Sequence, residues 1–126
     1  MNQVKQDLEA VLSRVSSPEN WTRTSMKTSE NCGCLLGHVY EVLGGHVPIY
    51  SGYLVPDTPL YDEVQGIYDD LNIDHRGQSI LGALFPEASP GLNRVEETWK
   101  FNDRSTVTHA DVVNLVRDAL ARETAR

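Results

Sequence analysis

Apolar residues recur every three or four positions along much of the chain, which is the spacing of one face of an α-helix. The first such stripe follows Asn2, a good N-cap residue. Another follows Thr58 and Pro59, a pair typical of the first turn of a helix. The two stripes consist of Val4, Leu8, Val11, Leu12 and Val15, and of Leu60, Val64, Ile67 and Leu71. Both patterns predict amphipathic helices.

Residues 32–43 form the most apolar stretch, and Gly44-Gly45 follows it as a natural left-handed exit from a helix. Gly33 and Gly37 lie one helical turn apart within this predicted helix. Each glycine costs up to about 1 kcal/mol relative to alanine inside a helix. We therefore expect the two glycines to allow the close approach of another helix.

The C-terminal part of the chain predicts three more helices. One covers residues 80–85 and ends at Pro86, and the next starts at Ser89-Pro90 and places Leu92, Val95 and Trp99 on one face. The last is predicted most clearly, because Thr108 and Asp111 form a capping box. The apolar stripe of this last helix comprises Val112, Val116, Ala119 and Leu120.

Together these patterns predict a mostly α protein, with residues 1–126 forming a single compact domain of four to six helices. The exception is the segment 47–55, where β-branched and aromatic residues flank Ser51 and Gly52. This segment predicts a short β-hairpin or an ordered loop. Pro48 and Pro56 would limit any strand there to the edge of a sheet.

Charge is distributed unevenly along the chain. Between residues 28 and 75 there are eight carboxylates and neither Lys nor Arg, and all five tyrosines fall in the same segment. The flanking segments sum to +1 and 0, so the net charge of −7 arises in this middle section. Such a section repels nucleic-acid phosphates and attracts a basic surface, while tyrosine supplies contact area with one polar end. We predict a protein partner with a basic surface and no direct nucleic-acid binding.

The predicted contact surface spans residues 50–74. On the helix that follows Thr58, Asp62 and Asp69 point away from the apolar stripe, and the tyrosines fall on its border. The predicted partner-binding residues are Tyr50, Tyr53, Tyr61, Asp62, Glu63, Tyr68, Asp69 and Asp70. The alternative interpretation is a solvated helix face with tyrosines at its boundary.

The two cysteines raise two chemical alternatives. Cys34 and His38 are one helical turn apart and His46 follows, but the single residue between Cys32 and Cys34 does not suit a structural zinc site. We predict no metal and no cofactor. Alternatively, Cys34 is a nucleophile whose pKa is lowered at the start of a helix, with His38 or His109 as its base. The competing interpretation is that Cys34 fills the core.

Cysteine spacing and hydropathy also bear on the compartment. A disulfide between Cys32 and Cys34 would be strained, and two free thiols fit a reducing cytoplasm. Apolar runs are too short to span a bilayer, and charged residues interrupt the N-terminal stretch 1–15, unlike a signal peptide. We therefore expect a cytoplasmic protein without membrane contact.

Asn102 and Asp103 predict a turn before the last helix, because both side chains close turns and accept hydrogen bonds from loop amides. Thr108 already caps the last helix. We therefore expect Asp103 to brace the turn against the start of the helix that contains Cys34.

Several short motifs resemble the layout of a family of short uncharacterised proteins from actinobacteria and their phages. The motifs are Trp21, Cys34-Leu35-Leu36-Gly37, Phe101-Asn102-Asp103, and Thr108 with Asp111 and Val112. The resemblance covers the two ends of the chain, whereas residues 45–93 have no counterpart. The chain departs from the family pattern at His38, where alanine is usual, at Phe101, where tryptophan is usual, and after Asp103, where a glycine is common.

The resemblance implies a mostly helical domain and a phage origin, and the family has no known activity. It also implies that Trp21, Cys34, Gly37, Asn102, Asp103, Thr108 and Asp111 are scaffold residues. Our leading hypothesis is a non-catalytic accessory protein, a phage product acting in the host cytoplasm, that binds another protein through residues 50–74. The alternatives are a cysteine-dependent enzyme with Cys34 as nucleophile and a mimic of nucleic acid that uses the acidic face.

Overall fold

The computed structural model describes residues 2–51 and 54–125, and these residues form six α-helices. The helices are α1 (Gln3–Val15), α2 (Leu35–Val42), α3 (Pro59–Ile73), α4 (His75–Leu84), α5 (Leu92–Asp103) and α6 (His109–Thr124). A short 3₁₀ turn, Pro18–Asn20, follows α1. The prediction of a mostly α, single compact domain with four to six helices is confirmed.

The predicted helix starts have the capping hydrogen bonds that the sequence indicates. The Asn2 side chain accepts from the Lys5 amide at 3.1 Å, and the Thr58 hydroxyl accepts from the Tyr61 amide at 3.2 Å. Thr108 and Asp111 form the complete capping box at the start of α6. Each such cap contributes about 1 kcal/mol to helix stability.

All six helices contribute to one hydrophobic core. The central element is α4, which contacts α1, α3, α5 and α6, while α2 lies against α1 and α5. The largest side chains that are fully buried include Leu8, Leu35, Leu36, Leu71 and Ile80. Within residues 2–51 and 54–125, no helix combines the length and the apolar character needed to cross a bilayer.

The helix α2 begins three residues later than the sequence predicts, because Cys34 is extended and acts as its N-cap. A Cβ atom on Gly33 or Gly37 would overlap the carbonyl oxygen of Met26. The glycines therefore do allow a close approach, but of the loop backbone at Met26 and not of another helix. Gly44 takes the predicted left-handed conformation at the helix end, with φ +88°.

The helix α5 also differs from its prediction at both ends. It begins after Gly91, whose φ of +93° and whose hydrogen bonds to the Gln78 side chain fix the start, and not at Ser89-Pro90. It continues to Asp103. Asn102 and Asp103 thus end a helix and do not form a separate turn.

The segment 47–55 contains no strand at its described residues, 47–51 and 54–55. Its backbone binds the preceding loop, since the Tyr50 amide donates to the Lys27 carbonyl at 2.9 Å. The Tyr50 hydroxyl accepts from the Met26 amide at 3.0 Å. These described residues therefore do not form the optional hairpin. Gly52, which belongs to its predicted tip Ser51-Gly52, lies outside the described residues, as does the flanking Tyr53.

Candidate functional site

Three of the scaffold motif residues, Trp21, Asn102 and Asp103, meet at a polar cluster, which we call the Asn102 cluster (Trp21, Thr22, Thr24, Leu35, Asn102 and Asp103). Asn102 is fully buried in the last turn of α5. Its Oδ1 accepts from the Trp21 indole at 2.6 Å and from the Leu35 amide at 2.9 Å. Its Nδ2 donates to the Thr22 carbonyl at 3.2 Å and to Asp103 Oδ1 at 3.1 Å. All four hydrogen-bonding positions of this amide are therefore occupied.

Asp103 extends the Asn102 cluster to the loop before α2. Its Oδ1 accepts from the backbone amide of Thr24 at 2.8 Å, and Thr24 has a φ of +68°, an uncommon value for a β-branched residue. The carboxylate thus helps to hold a strained loop residue in place. The sequence predicts that Asp103 braces the start of α2, but the structure gives that contact to Asn102, through Leu35.

Arg23 closes the same loop from outside. Its guanidinium lies 5.1 Å from the centroid of the Trp21 ring, and it donates to the carbonyls of Arg104 and Val107. Backbone carbonyls after α5 are thereby tied to the loop that carries Trp21. The contacts around Trp21 are those of a scaffold in which each polar group has a partner.

Cys34 lies at the N-cap of α2 with its side chain in the core. It is 5% exposed, and its Sγ accepts from the Gly37 amide at 3.5 Å. Burial raises the pKa of the Cys34 thiol to about 11, because a thiolate is poorly solvated there. Desolvation outweighs the favourable helix N-terminus, so this geometry holds a thiol at neutral pH and favours the interpretation of Cys34 as a core side chain.

Both candidate bases are bound to backbone carbonyls. His38 is buried, its Nε2 lies 2.7 Å from the Asn20 carbonyl, and its Nδ1 accepts from Arg14 Nε at 3.1 Å. This pattern requires the neutral tautomer with hydrogen on Nε2, and burial lowers the pKa of His38. His109 Nε2 lies 2.6 Å from the Val15 carbonyl. Neither of these hydrogen bonds directs a histidine at Cys34.

The zinc alternative involves Cys32, Cys34, His38 and His46. In the described part of the chain, no group of three or more His, Cys, Asp or Glu side chains is arranged to hold a metal ion. Cys34 is turned toward the core, and His38 is turned toward the Asn20 carbonyl and Arg14.

A second polar region lies on α3, and we call it the acidic face (Asp62, Glu63, Asp69 and Asp70). All four carboxylates are exposed. Within residues 2–51 and 54–125, none of the four forms a salt bridge. Asp70 accepts from the Tyr40 hydroxyl at 2.6 Å, which raises the pKa of Tyr40 to about 12. The acidic face thus presents four negative charges to solvent.

Carboxylates elsewhere in the described part of the molecule are paired with cations, and Glu41 and Asp7 are two examples. Glu41 binds both Arg14 and Lys27, each at 2.8 Å. Asp7, which is buried, binds Arg76 through two hydrogen bonds of 2.6 and 2.8 Å, and the pKa of Asp7 is lowered by this contact. The acidic face differs from these sites because the sequence of α3 contains neither Lys nor Arg.

The predicted contact tyrosines occupy different environments. Tyr50 is only 8% exposed and belongs to the core, so its side chain does not contribute to the surface. Tyr61 is partly exposed on α3. Tyr68 packs against the core with part of its ring accessible, and burial raises its pKa. Tyr53 lies outside the described residues.

Sequence reasoning did not predict the two grooves that flank the acidic face. Between α3 and α5, a groove of about 470 Å³ is lined by Tyr68, Asp69, Leu92 and Trp99, among others. On the other side, a groove of about 560 Å³ includes Tyr40, Asp70 and Ile73. The only signal in the sequence is the α5 stripe, whose spacing predicts a buried face that includes Leu92 and Trp99. Leu92 is in fact 50% exposed.

The model of a family of unknown function, DUF6197, matches residues 1–122. The match includes residues 45–93, for which the sequence resemblance has no counterpart. No curated protein and no solved structure matches the chain.

Proposed function

The chain belongs to the family of unknown function DUF6197, and we propose that it is a non-catalytic accessory protein that binds another protein through the acidic face of α3. The partner surface is basic, and binding involves neither nucleic acid nor membrane. We also propose a phage origin and action in the cytoplasm of a bacterial host. Two free cysteines, Cys32 and Cys34, support a reducing compartment.

The observation that carries this proposal is the set of exposed carboxylates on α3. Asp70 lies in the last turn of α3, next to Asp69, where the negative end of the helix dipole disfavours acids. Adjacent carboxylates at this end of the helix also lower its stability through like-charge repulsion. Asp62 lies in the first turn of α3, where the helix dipole favours an acid, and Asp70 binds the Tyr40 hydroxyl. No such gain in folding stability accounts for Asp69, whereas attraction of a basic partner does.

The geometry around the acidic face adds contact area. Tyr61 is partly exposed beside Asp62, and the grooves on both sides offer apolar side chains. The carboxylates steer a partner, while aromatic and apolar groups in the flanking grooves supply most of the binding energy.

The experiment uses the tagged full chain to capture proteins from an actinobacterial lysate, followed by identification and purification of the captured protein. The face variant combines Asp62→Asn, Glu63→Gln and Asp69→Asn. The control variant combines Glu9→Gln, Glu87→Gln and Asp118→Asn, which are also exposed and change the net charge equally. We expect the association rate at low salt to fall about tenfold or more for the face variant and less than about twofold for the control.

Equal rates for the two variants would contradict the proposal. The nucleic-acid mimic makes a different prediction, since duplex DNA would then displace the chain from the captured protein in competition. For an accessory protein that recognises a basic surface unrelated to nucleic acid, DNA leaves the complex intact at physiological salt.

A further inference from the structure

We propose that the groove between α3 and α5 receives an arginine side chain of the partner protein. This inference rests on the proposed function, because it names the chemical group that one edge of the acidic face recognises. The occupant is a segment of the partner that presents a guanidinium next to an apolar residue.

The lining of the groove matches both parts of such a segment. Trp99 and Tyr68 supply aromatic surface, and Leu92, half exposed at the start of α5, supplies aliphatic surface. Asp69 on one side and Glu96 on the other supply carboxylates. A planar guanidinium stacks on aromatic rings and donates to carboxylates at the same time, which an ammonium does less well.

Charges near the groove favour a cation. Three carboxylates line it, those of Asp69, Glu96 and Asp103, and its described lining includes neither Lys nor Arg. A cation of the chain lies beside it, since Lys100 Nζ is 5.8 Å from the centroid of the Trp99 ring and 3.7 Å from Glu96. A cation–π contact with Trp99 is thus already made by an exposed side chain, and Tyr68 is the second aromatic side chain among the described residues of the groove.

The other groove does not present the same chemistry. It is lined by Tyr40 and Asp70, whose hydroxyl and carboxylate bind each other, and by a cation, Arg76. Its exposed apolar residue, Ile73, provides a matched control for Leu92. Substitution of either residue by lysine adds one positive charge to one of the two grooves that flank the acidic face.

The test is a titration of the ¹⁵N-labelled full chain with tri-arginine amide and with tri-lysine amide, which carry equal charge, followed by NMR. The indole N–H signal of Trp99 reports on the groove, and that of Trp21, which donates to Asn102, serves as an internal reference. We expect the Trp99 signal to shift and saturate with tri-arginine amide at about three- to fivefold lower concentration than with tri-lysine amide.

The variants locate the site. Leu92→Lys is expected to weaken binding of tri-arginine amide by about fivefold or more, and Ile73→Lys by less than about twofold. Equal affinity for the two peptides, or equal weakening by the two variants, would overturn the arginine site. The acidic face would then attract cations electrostatically without a specific site for arginine. If neither peptide shifts any signal from α3, both the groove and the proposed function lose their support.

Discussion

The Asn102 cluster and the acidic face of α3 place the same kinds of polar side chain in opposite environments. In the cluster, Asn102 is fully buried and makes four hydrogen bonds, and Asp103 accepts from the Thr24 amide. On α3, Asp62 and Asp69 are exposed and form no salt bridge with the described residues. Loss of a buried hydrogen bond lowers the free energy of unfolding substantially, whereas removal of an exposed charge changes it little.

Under the proposed function, stability and binding reside in different parts of the molecule. Substitutions in the Asn102 cluster should lower the free energy of unfolding without a specific effect on partners. Substitutions on the acidic face should leave the free energy of unfolding almost unchanged and alter association. Variants of single residues in each region can test this separation.

The largest effect is expected for Asn102→Ala. It leaves the Trp21 indole, the Leu35 amide and the Thr22 carbonyl without their partner, at a position where the amide itself is fully buried. We expect a loss of roughly 3–5 kcal/mol in the free energy of unfolding, measured by urea denaturation. A loss below about 1 kcal/mol would mean that water replaces the amide and that the Asn102 cluster is not a stabilising element.

Two glycine-to-alanine substitutions should change the free energy of unfolding in opposite directions. Gly37→Ala places a Cβ against the carbonyl of Met26, so we expect a loss of about 2–3 kcal/mol or failure to fold. Gly66 lies within α3, and apart from the neighbouring backbone of the helix itself no described atom lies within 4 Å of the position that a Cβ would take there. Gly66→Ala should therefore raise stability by up to about 1 kcal/mol, because alanine favours the helix. Thermal unfolding of both variants beside the wild type measures the two changes in stability. Changes in the same direction would contradict the prediction.

The two glycines also indicate how much of the fold can be predicted from the sequence. The helices, their caps and a close approach at Gly37 follow from local patterns, because capping and periodicity depend on neighbouring residues. Nothing local to residues 32–37 indicates that the approaching chain is the loop at Met26. Contacts between residues distant in sequence, such as Trp21 with Asn102, require the assembled core.

The candidate site was predictable to a similar extent. The acids of α3 point outward as the helical spacing predicts, because they lie opposite Leu60, Val64, Ile67 and Leu71. Tyr50 could not be assigned from spacing, because its burial depends on the loop that donates the Met26 amide to its hydroxyl. The groove was missed for the same reason, since it exists only where α5 lies beside α3.

Asp103→Ala should have a smaller effect than Asn102→Ala. It removes the acceptor for the Thr24 amide and for Asn102 Nδ2, but Asp103 lies nearer to solvent. We expect a loss of about 1–3 kcal/mol in the free energy of unfolding. Asp103→Asn keeps an oxygen for the Thr24 amide and should retain more stability in the same urea series. An unchanged denaturation midpoint for Asp103→Ala would exclude the bracing role.

Mild acid should weaken the buried region near His38. The pKa of His38 is lowered by burial, so the folded protein keeps it neutral while the unfolded chain is protonated near pH 6.5. Neutral His38 therefore contributes fully to the free energy of unfolding above this pH. The contribution is lost as the pH falls below it, because the unfolded state then binds more protons than the folded state. Asp7, with its lowered pKa, adds a second loss below about pH 3.8. Urea midpoints between about pH 7.5 and pH 5 measure the first loss, which His38→Gln should abolish.

The smallest effect on folding is expected for Asp69→Asn. The carboxylate is exposed, has no salt bridge with the described residues, and lies beside Asp70 near the C-terminal end of α3. Removal of its charge relieves repulsion and suits the helix dipole, so the free energy of unfolding should stay within about 0.5 kcal/mol and move upward. Urea denaturation at low and high salt checks this, since the gain should shrink as salt screens the charges. A loss above about 1 kcal/mol would show that Asp69 stabilises the fold as Asp103 does, and the separation between the two regions would then fail.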